Sequence, residues 1–174
     1  MPSTVKYLEG DIVPLFKKAI VEDEFLKQKF VLIHFTNCCC NLETGVTRKI
    51  IEAWPAVQDA DWGTKPKDHS KLGSYSFVKA YFNNRKHTIV TCYSQFGFHY
   101  DNNRTDYNAL EKSLLKAKAE FCNGATIYMT LPYGEEAIIK KIIQSIFEGS
   151  DVTVINRKQL SEKKKNYLST LAQG

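Results

Sequence analysis

The chain has 174 residues, of which 43% are hydrophobic, and a formal net charge of +5. This size and apolar content suit one compact domain with a buried core, and they exclude a disordered chain. The longest apolar run, residues 30–35, is interrupted by His34 and is much shorter than the roughly 20 residues that cross a bilayer, so we expect no membrane partner. The five cysteines are an odd number and no signal pattern opens the chain, which together indicate a reduced, cytoplasmic protein.

Runs rich in β-branched and aromatic residues alternate along the chain with helical stretches. This alternation predicts a three-layer α/β/α fold with a mixed, mostly parallel central sheet of about six strands. The runs cover residues 5–8, 30–36, 75–82, 87–93, 126–131 and 152–155.

Apolar residues recur at helical spacing in the stretches between the later runs. One helical pattern has apolar residues from Tyr107 to Phe121 after Thr105-Asp106, which can cap the helix, and another helix begins with Glu135-Glu136 and ends at Gly149. Residues 158–173 are predicted to form a C-terminal amphipathic helix. Because we find no linker and no internal repeat, residues 1–174 are treated as a single domain.

The first candidate site residues follow the first run. In an open α/β sheet, ligands bind beyond the carboxyl ends of the strands. Gly10 permits a tight turn there, and the carboxylate of Asp11 can accept a hydrogen bond from an exocyclic amine such as that of adenine. A Gly-Asp pair is also an ordinary turn or helix cap, so both interpretations stay open.

A second candidate segment follows the second run. Asn37 comes directly after this run, and its amide suits the hydroxyls of a ribose but could equally pin the loop. Beyond it, a turn opens a helix, and the N–H groups and positive dipole of a helix N-terminus can hold a phosphate without metal. The residues of that turn are Gly45, Val46 and Thr47.

A third segment follows the fifth run, where Tyr133 and Gly134 form a turn and a helix begins at once with Glu135 and Glu136. Two carboxylates at a helix start satisfy its dipole internally, so this helix is a poor phosphate site.

Histidines and cysteines provide few further candidates. His34 lies within an apolar run and is expected to be a core histidine, whereas His99 lies in a polar loop and can reach a ligand. Cys38, Cys39 and Cys40 are adjacent and have no CxxC or HxxxH partner, so we expect no metal site. They are interpreted as small loop fillers or, alternatively, as a source of one low-pKa nucleophile.

Short motifs follow one another over most of the chain, in an order and spacing that resemble the macro domain family. The resemblance is greatest to the branch of the yeast ADP-ribose-1''-phosphate phosphatase and its bacteriophage relatives. The motifs are Gly10-Asp11-Ile12, residues 33–37 with Gly45-Val46-Thr47, Trp54-Pro55, Lys71-Leu72-Gly73, Ser94-Gln95-Phe96-Gly97, residues 104–110 and Leu131-Pro132-Tyr133-Gly134.

The resemblance implies ADP-ribose or a related nucleotide as ligand, including ADP-ribose 1''-phosphate or an ADP-ribosylated target, with no cofactor and a monomeric protein. Asp11 and the backbone of Ile12 would contact the adenine, Asn37 the distal ribose and the Gly45 turn the diphosphate. The walls would be formed on the distal side by Gln95, Phe96 and Gly97, and on the opposite side by Tyr133 and Gly134.

The chain departs from the family pattern in two loops. The loop before Gly45 lacks the usual additional glycines, and Glu43 in it would repel a diphosphate if its side chain pointed inward. After Gly134, relatives continue with a glycine-rich stretch and an acidic or amide residue, whereas this chain proceeds directly to Glu135. That stretch would supply phosphate-binding N–H groups and, in some relatives, a catalytic carboxylate, so its absence leaves catalysis open.

Three functions follow from these observations. The first is hydrolysis of ADP-ribose 1''-phosphate or of ADP-ribose on a target, with Asn37 and His99 as the catalytic candidates. The second is an inactive binder, sensor or sponge for an ADP-ribose-related nucleotide. The third is RNA binding by the lysines at residues 158–165; nucleic acid is the less expected partner because that segment lacks interleaved aromatic residues.

Overall fold

A computed structural model describes residues 5–25, 28–42, 45–97, 105–157 and 170–173. The strands are β1 (Lys6–Glu9), β2 (Lys29–Asn37), β3 (Tyr75–Phe82), β4 (Arg85–Gln95), β5 (Ala125–Thr130) and β6 (Asp151–Asn156). The helices are α1 (Ile12–Glu22), α2 (Gly45–Ala53), α3 (Ala56–Trp62), α4 (Tyr107–Phe121) and α5 (Glu136–Ile146), with a short 3-10 helix at His69–Lys71. The predicted C-terminal helix lies outside the described residues except for 170–173, of which 170–172 are helical.

The strands form one sheet in the order β1-β6-β5-β2-β4-β3. All neighbouring pairs are parallel except β3 and β4, which are antiparallel. The antiparallel pair is a hairpin whose two-residue turn, Asn83 and Asn84, has φ angles of 52° and 59°. Asparagine tolerates this left-handed conformation, which matches the twist of a hairpin. The predicted mixed, mostly parallel sheet of six strands is confirmed.

Helices cover both faces of this sheet. Phe16 of α1, Ile50 of α2 and Val57 of α3 pack against one face, which includes Leu32 of β2. Leu114 of α4 and Ile143 of α5 pack against the other face. Since successive residues of β2 point to opposite faces and both faces are covered, residues 30–34 are all buried.

Capping positions α4 over the sheet. The side chain of Asp106 accepts a hydrogen bond from the backbone N–H of Ala109 at 3.0 Å, as expected for an N-cap residue. The backbone N–H of Asp106 donates to Ser94 O at 2.7 Å, which ties the helix start to β4.

Within the ranges above, we find no helix that is both long and apolar enough to cross a membrane.

Candidate functional site

The parallel strands end at a common edge of the sheet, called the carboxyl edge below, and the segments that follow them meet there. The backbone N–H of Cys38, just after β2, donates to Phe96 O at 3.0 Å, just after β4. The N–H of Gly10 donates to Asn156 O at 2.9 Å, and that of Leu131 to Ile155 O at 3.3 Å. The candidates near Asn37 and Phe96 are therefore neighbours, as are the segments after β1, β5 and β6.

Asp11 precedes the first turn of α1, but its side chain makes no cap hydrogen bond. Its Oδ1 lies 3.1 Å from Nζ of Lys49 on α2, and both side chains are about half-exposed. An exposed ion pair of this kind is weak and exchanges readily for another partner. Ile12 is buried in the core, so only its backbone is available to a ligand.

Asn37 is buried, and both ends of its amide are engaged by the loop that follows. Its Nδ2 donates to Asn41 O at 2.8 Å, and its Oδ1 accepts from the N–H of Cys39 at 2.9 Å. Asn37 therefore pins this loop. Its amide keeps one further hydrogen and one further lone pair for another partner.

The predicted phosphate turn opens α2. Gly45 has φ of 63°, a left-handed conformation that glycine adopts without strain, and a Cβ built on it would meet nothing within 4 Å. Val46 packs on the core beside α1, and Thr47 is buried. The first N–H groups of a helix have no partner within that helix, so this terminus points donors toward the carboxyl edge.

A buried histidine lies behind this turn. His34 Nε2 is 2.7 Å from Thr91 Oγ1, and its Nδ1 is 3.5 Å from Thr47 Oγ1. Burial without a counter-charge lowers the pKa of His34 to about 3, so its ring is neutral near pH 7. His34 is thus a core residue that links β2, β4 and α2.

The segment after β4 is held by its own side chain and by an aromatic stack. Gln95 Nε2 donates to Gly97 O at 3.0 Å. The ring of Phe96 stacks on His69, with centroids 4.0 Å apart and planes inclined by 3°. Sequence reasoning missed His69; the Asp68-His69-Ser70 turn, in which Asp68 accepts from the N–H of Ser70 at 2.9 Å, was its one local signal.

A side chain from α4 closes the shortened turn after β5. The N–H of Glu135 donates to the hydroxyl of Tyr107 at 2.9 Å. Gly134 has φ of 140°, and a Cβ there would lie 3.0 Å from that hydroxyl and 3.1 Å from Ile139 Cδ1. The Tyr107 hydroxyl therefore lies against the turn at Gly134 and Glu135, while Tyr133 projects outward with 69% of its surface exposed.

A buried polar cluster, which the sequence analysis also missed, anchors the cysteine loop. Lys71 Nζ lies 3.3 Å from Asp61 Oδ1, and their side chains are 5% and 0% exposed. The hydroxyl of Tyr93 donates to the same carboxylate at 2.7 Å, and burial raises its pKa. Lys71 Nζ also lies 3.3 Å from Cys40 Sγ. Lys71, which the sequence analysis placed in a motif without a role, joins α3, β4 and the loop after β2.

The cysteines are all free thiols. Burial raises the pKa of Cys38 to about 11, which suits a loop filler and not a nucleophile. Among the residues that the structure describes, no group of three histidine, cysteine or acidic side chains is arranged to hold a metal ion. His99 and Glu43 lie outside the described residues.

Comparison with known proteins gives one similar sequence and several similar structures. No family model matches the chain. It is 35% identical over 97 residues to an uncharacterized 17.5 kDa protein of the tk-vs intergenic region of Enterobacteria phage T4. The matched segment is 53% of this chain and 54% of the phage protein, so the chain spans about half the length of that relative.

The structural likenesses are more extensive. A macrodomain protein from Streptomyces coelicolor matches with a TM-score of 0.62 and 16% identity over 90% of this chain and 99% of that one. The macrodomain of Thermus aquaticus DarG gives 0.59 and 13% over 89% and 98%. Thermosipho africanus DarTG in complex with ADP-ribose gives 0.54 and 13% over 90% of this chain and 54% of that one. These likenesses confirm the predicted fold, and the chain folds as a three-layer α/β/α macrodomain.

Proposed function

We propose that this protein binds ADP-ribose or a close derivative as a monomer at the carboxyl edge of the sheet. The contact between Asp11 and Lys49, 3.1 Å apart, carries the proposal. It places a carboxylate that can accept a hydrogen bond from an amine beside α2, the helix that would bind the diphosphate. Asp11 would accept a hydrogen bond from the exocyclic amine of the adenine. Lys49 and the N-terminus of α2 would hold the diphosphate, since the lysine is a cation and a helix N-terminus carries a partial positive charge.

The distal half of the ligand would lie beside the loop after β2. Asn37 pins that loop and keeps one donor and one acceptor for the ribose, while Phe96 and Gly97 form the neighbouring wall. The structure with ADP-ribose bound, that of DarTG, has the same fold and supports this ligand class. Lys49 adds to the sequence-based site a cation that the motif pattern did not include.

The geometry favours a binder or sensor over a phosphatase or ADP-ribosyl hydrolase. Asn37 is a neutral amide whose two ends are bonded to the loop, and it cannot act as a general base toward an attacking water. The N–H of Glu135 is held by Tyr107, where a glycine-rich loop would offer free donors to a developing charge.

Calorimetry with ADP-ribose tests the binding proposal. We expect Asp11→Asn to weaken binding about tenfold, because the asparagine amide keeps an acceptor but lacks the charge that strengthens the hydrogen bond. Glu111→Gln is the matched control, since it removes one exposed carboxylate from α4 and should leave the affinity unchanged. Equal affinity of wild type and Asp11→Asn would remove adenine recognition by Asp11.

Phosphate release from ADP-ribose 1''-phosphate distinguishes a binder from an enzyme. At protein concentrations that saturate the ligand, we expect no release above the uncatalysed rate. Sustained release that Asn37→Ala abolishes, with binding retained, would instead assign the protein to the phosphatase-like branch.

A further inference from the structure

The edge strand β3 carries aromatic and basic side chains in alternation on one of its faces. Phe77, Lys79 and Tyr81 are two residues apart, so their side chains project to the same side of the sheet. Phe77 is 43% and Tyr81 67% exposed, and Lys79 is exposed as well. Large exposed rings separated by a lysine are unusual on a strand that is otherwise packed against a core.

Two further lysines extend this face across the neighbouring strands. Lys86 of β4 is the register partner of Tyr81, and Thr88 that of Lys79. Val31 of β2 pairs with Thr88, so Lys29, two residues earlier, lies level with Lys86 on the same face. We call Phe77, Lys79, Tyr81, Lys86 and Lys29 the β3 strip.

The positive charge of the strip is not neutralised by the described part of the chain. None of its three lysines forms an ion pair with a described carboxylate. Lys79 donates to Thr88 Oγ1 at 2.6 Å, and its pKa is lowered by partial burial and then by repulsion from Lys29 and Lys86. Like charges in register destabilise a sheet, so a cluster of this kind is better accounted for by an anionic partner.

The end of α4 lies beside the strip. Phe121, the last residue of α4, packs on Phe77 with centroids 4.8 Å apart and lies 5.2 Å from Lys79 Nζ. Glu120, near the end of α4, accepts a hydrogen bond from the hydroxyl of Tyr75. Asp23 is bound to Arg85, whose guanidinium lies over Phe30 on the other face.

We propose that the β3 strip binds single-stranded nucleic acid, with bases stacked on Tyr81 and Phe77 and phosphates held by Lys29, Lys79 and Lys86. Stacking requires unpaired bases, and exposed rings interleaved with lysines are the usual platform for them. Phe77 and Tyr81 are four residues apart, about 13 Å along the strand, which leaves room for a short run of nucleotides. The C-terminal lysines at residues 158–165 have no aromatic residues among them, whereas the β3 strip has both lysines and aromatic rings.

The strip is separate from the proposed ADP-ribose site. Lys29 and Lys86 lie at the beginnings of β2 and β4, whereas Asp11 and Asn37 lie beyond the strand ends at the carboxyl edge. The protein should therefore bind nucleic acid and ADP-ribose at the same time, and failure of either proposal leaves the other intact.

Fluorescence anisotropy with a labelled oligouridylate tests the proposal on the full chain. We expect Tyr81→Leu, which keeps an apolar side chain but removes the ring, to weaken binding about fivefold or more. Lys86→Gln should reduce the slope of log affinity against log salt by about 0.7, because one phosphate contact to a single strand is lost. Lys18→Gln removes the same charge from α1 and should change the slope little, since Lys18 is paired with Glu22.

Several outcomes would overturn the proposal. One is the absence of binding to oligouridylate at low salt by the wild-type protein. Another is equal loss on Lys18→Gln and Lys86→Gln, which would show a general charge effect. A third is a Tyr81→Leu variant that binds the oligonucleotide normally but loses self-association in sedimentation, since that would assign the strip to pairing between copies of the chain. Competition by ADP-ribose would also contradict a separate site.

Discussion

The hydroxyl of Tyr107 accepts the backbone N–H of Glu135 at 2.9 Å, so a side chain of α4 closes the turn between β5 and α5. Tyr107→Phe keeps the ring and removes this acceptor. Because the bond is exposed and water can replace it, we expect a loss of about 0.5–1 kcal/mol in the free energy of unfolding. Urea denaturation measures it, with Tyr133→Phe as the control; equal stability of the two variants would show that the bond contributes nothing.

The same turn needs glycine at position 134. Its φ of 140° disfavours any side chain, and a Cβ would lie 3.0 Å from the Tyr107 hydroxyl. We expect Gly134→Ala to destabilise the fold by about 1–3 kcal/mol. Gly124→Ala separates the two causes, because Gly124 has φ of 69° but nothing within 4 Å of its Cβ. The smaller loss should be that of Gly124→Ala, and the reverse order would contradict steric closure by Tyr107.

The thiols should divide into two reactivity groups. Burial raises the pKa of Cys38 to about 11 and those of Cys92 and Cys122 to about 12. Cys39 and Cys40 are only partly buried. Since the thiolate is the reactive species, iodoacetamide at pH 8 should label Cys39 and Cys40 first, and the other three only after unfolding. Peptide mass mapping over time reads this out. Early labelling of Cys92 would indicate that the core opens under native conditions.

The sequence predicts the fold well because its signals are local. Strand runs and the Asp106 cap depend on residues a few positions apart, and the structure has them where expected. The cluster of Asp61, Lys71 and Tyr93 could not be predicted, since its members lie on different elements and meet only through the packing of α3 on the sheet. Lys71 illustrates the difficulty, because a lysine is expected at the surface until its buried partner is known.

The ion pair of Lys71 and Asp61 should behave as a buried pair. Lys71→Met leaves a fully buried carboxylate without its counter-charge, and we expect a loss of about 3–5 kcal/mol in the free energy of unfolding. Lys49→Met breaks the exposed pair with Asp11 and should cost less than about 1 kcal/mol. Lys71→Met combined with Asp61→Leu should recover part of the loss, because no charge remains buried. Denaturant titrations of the variants at pH 7 test this, and a double variant no more stable than Lys71→Met would contradict the argument.

Buried neutral histidines should make the fold acid-sensitive above the range in which carboxylates titrate. The pKa of His34 falls from 6.5 to about 3 on folding, and burial also lowers that of His87. Both groups therefore contribute stability that is present above pH 6.5 and lost as the pH falls. Below that pH the unfolded chain binds protons at these histidines, whereas in the folded chain burial keeps the rings neutral. Each histidine should cost up to about 1.4 kcal/mol per pH unit below 6.5, and for His34 this continues to about pH 3. Urea denaturation between pH 7 and 5 gives the slope, which His34→Gln should reduce. An unchanged slope in that variant would mean that the His34 ring accepts a proton without unfolding.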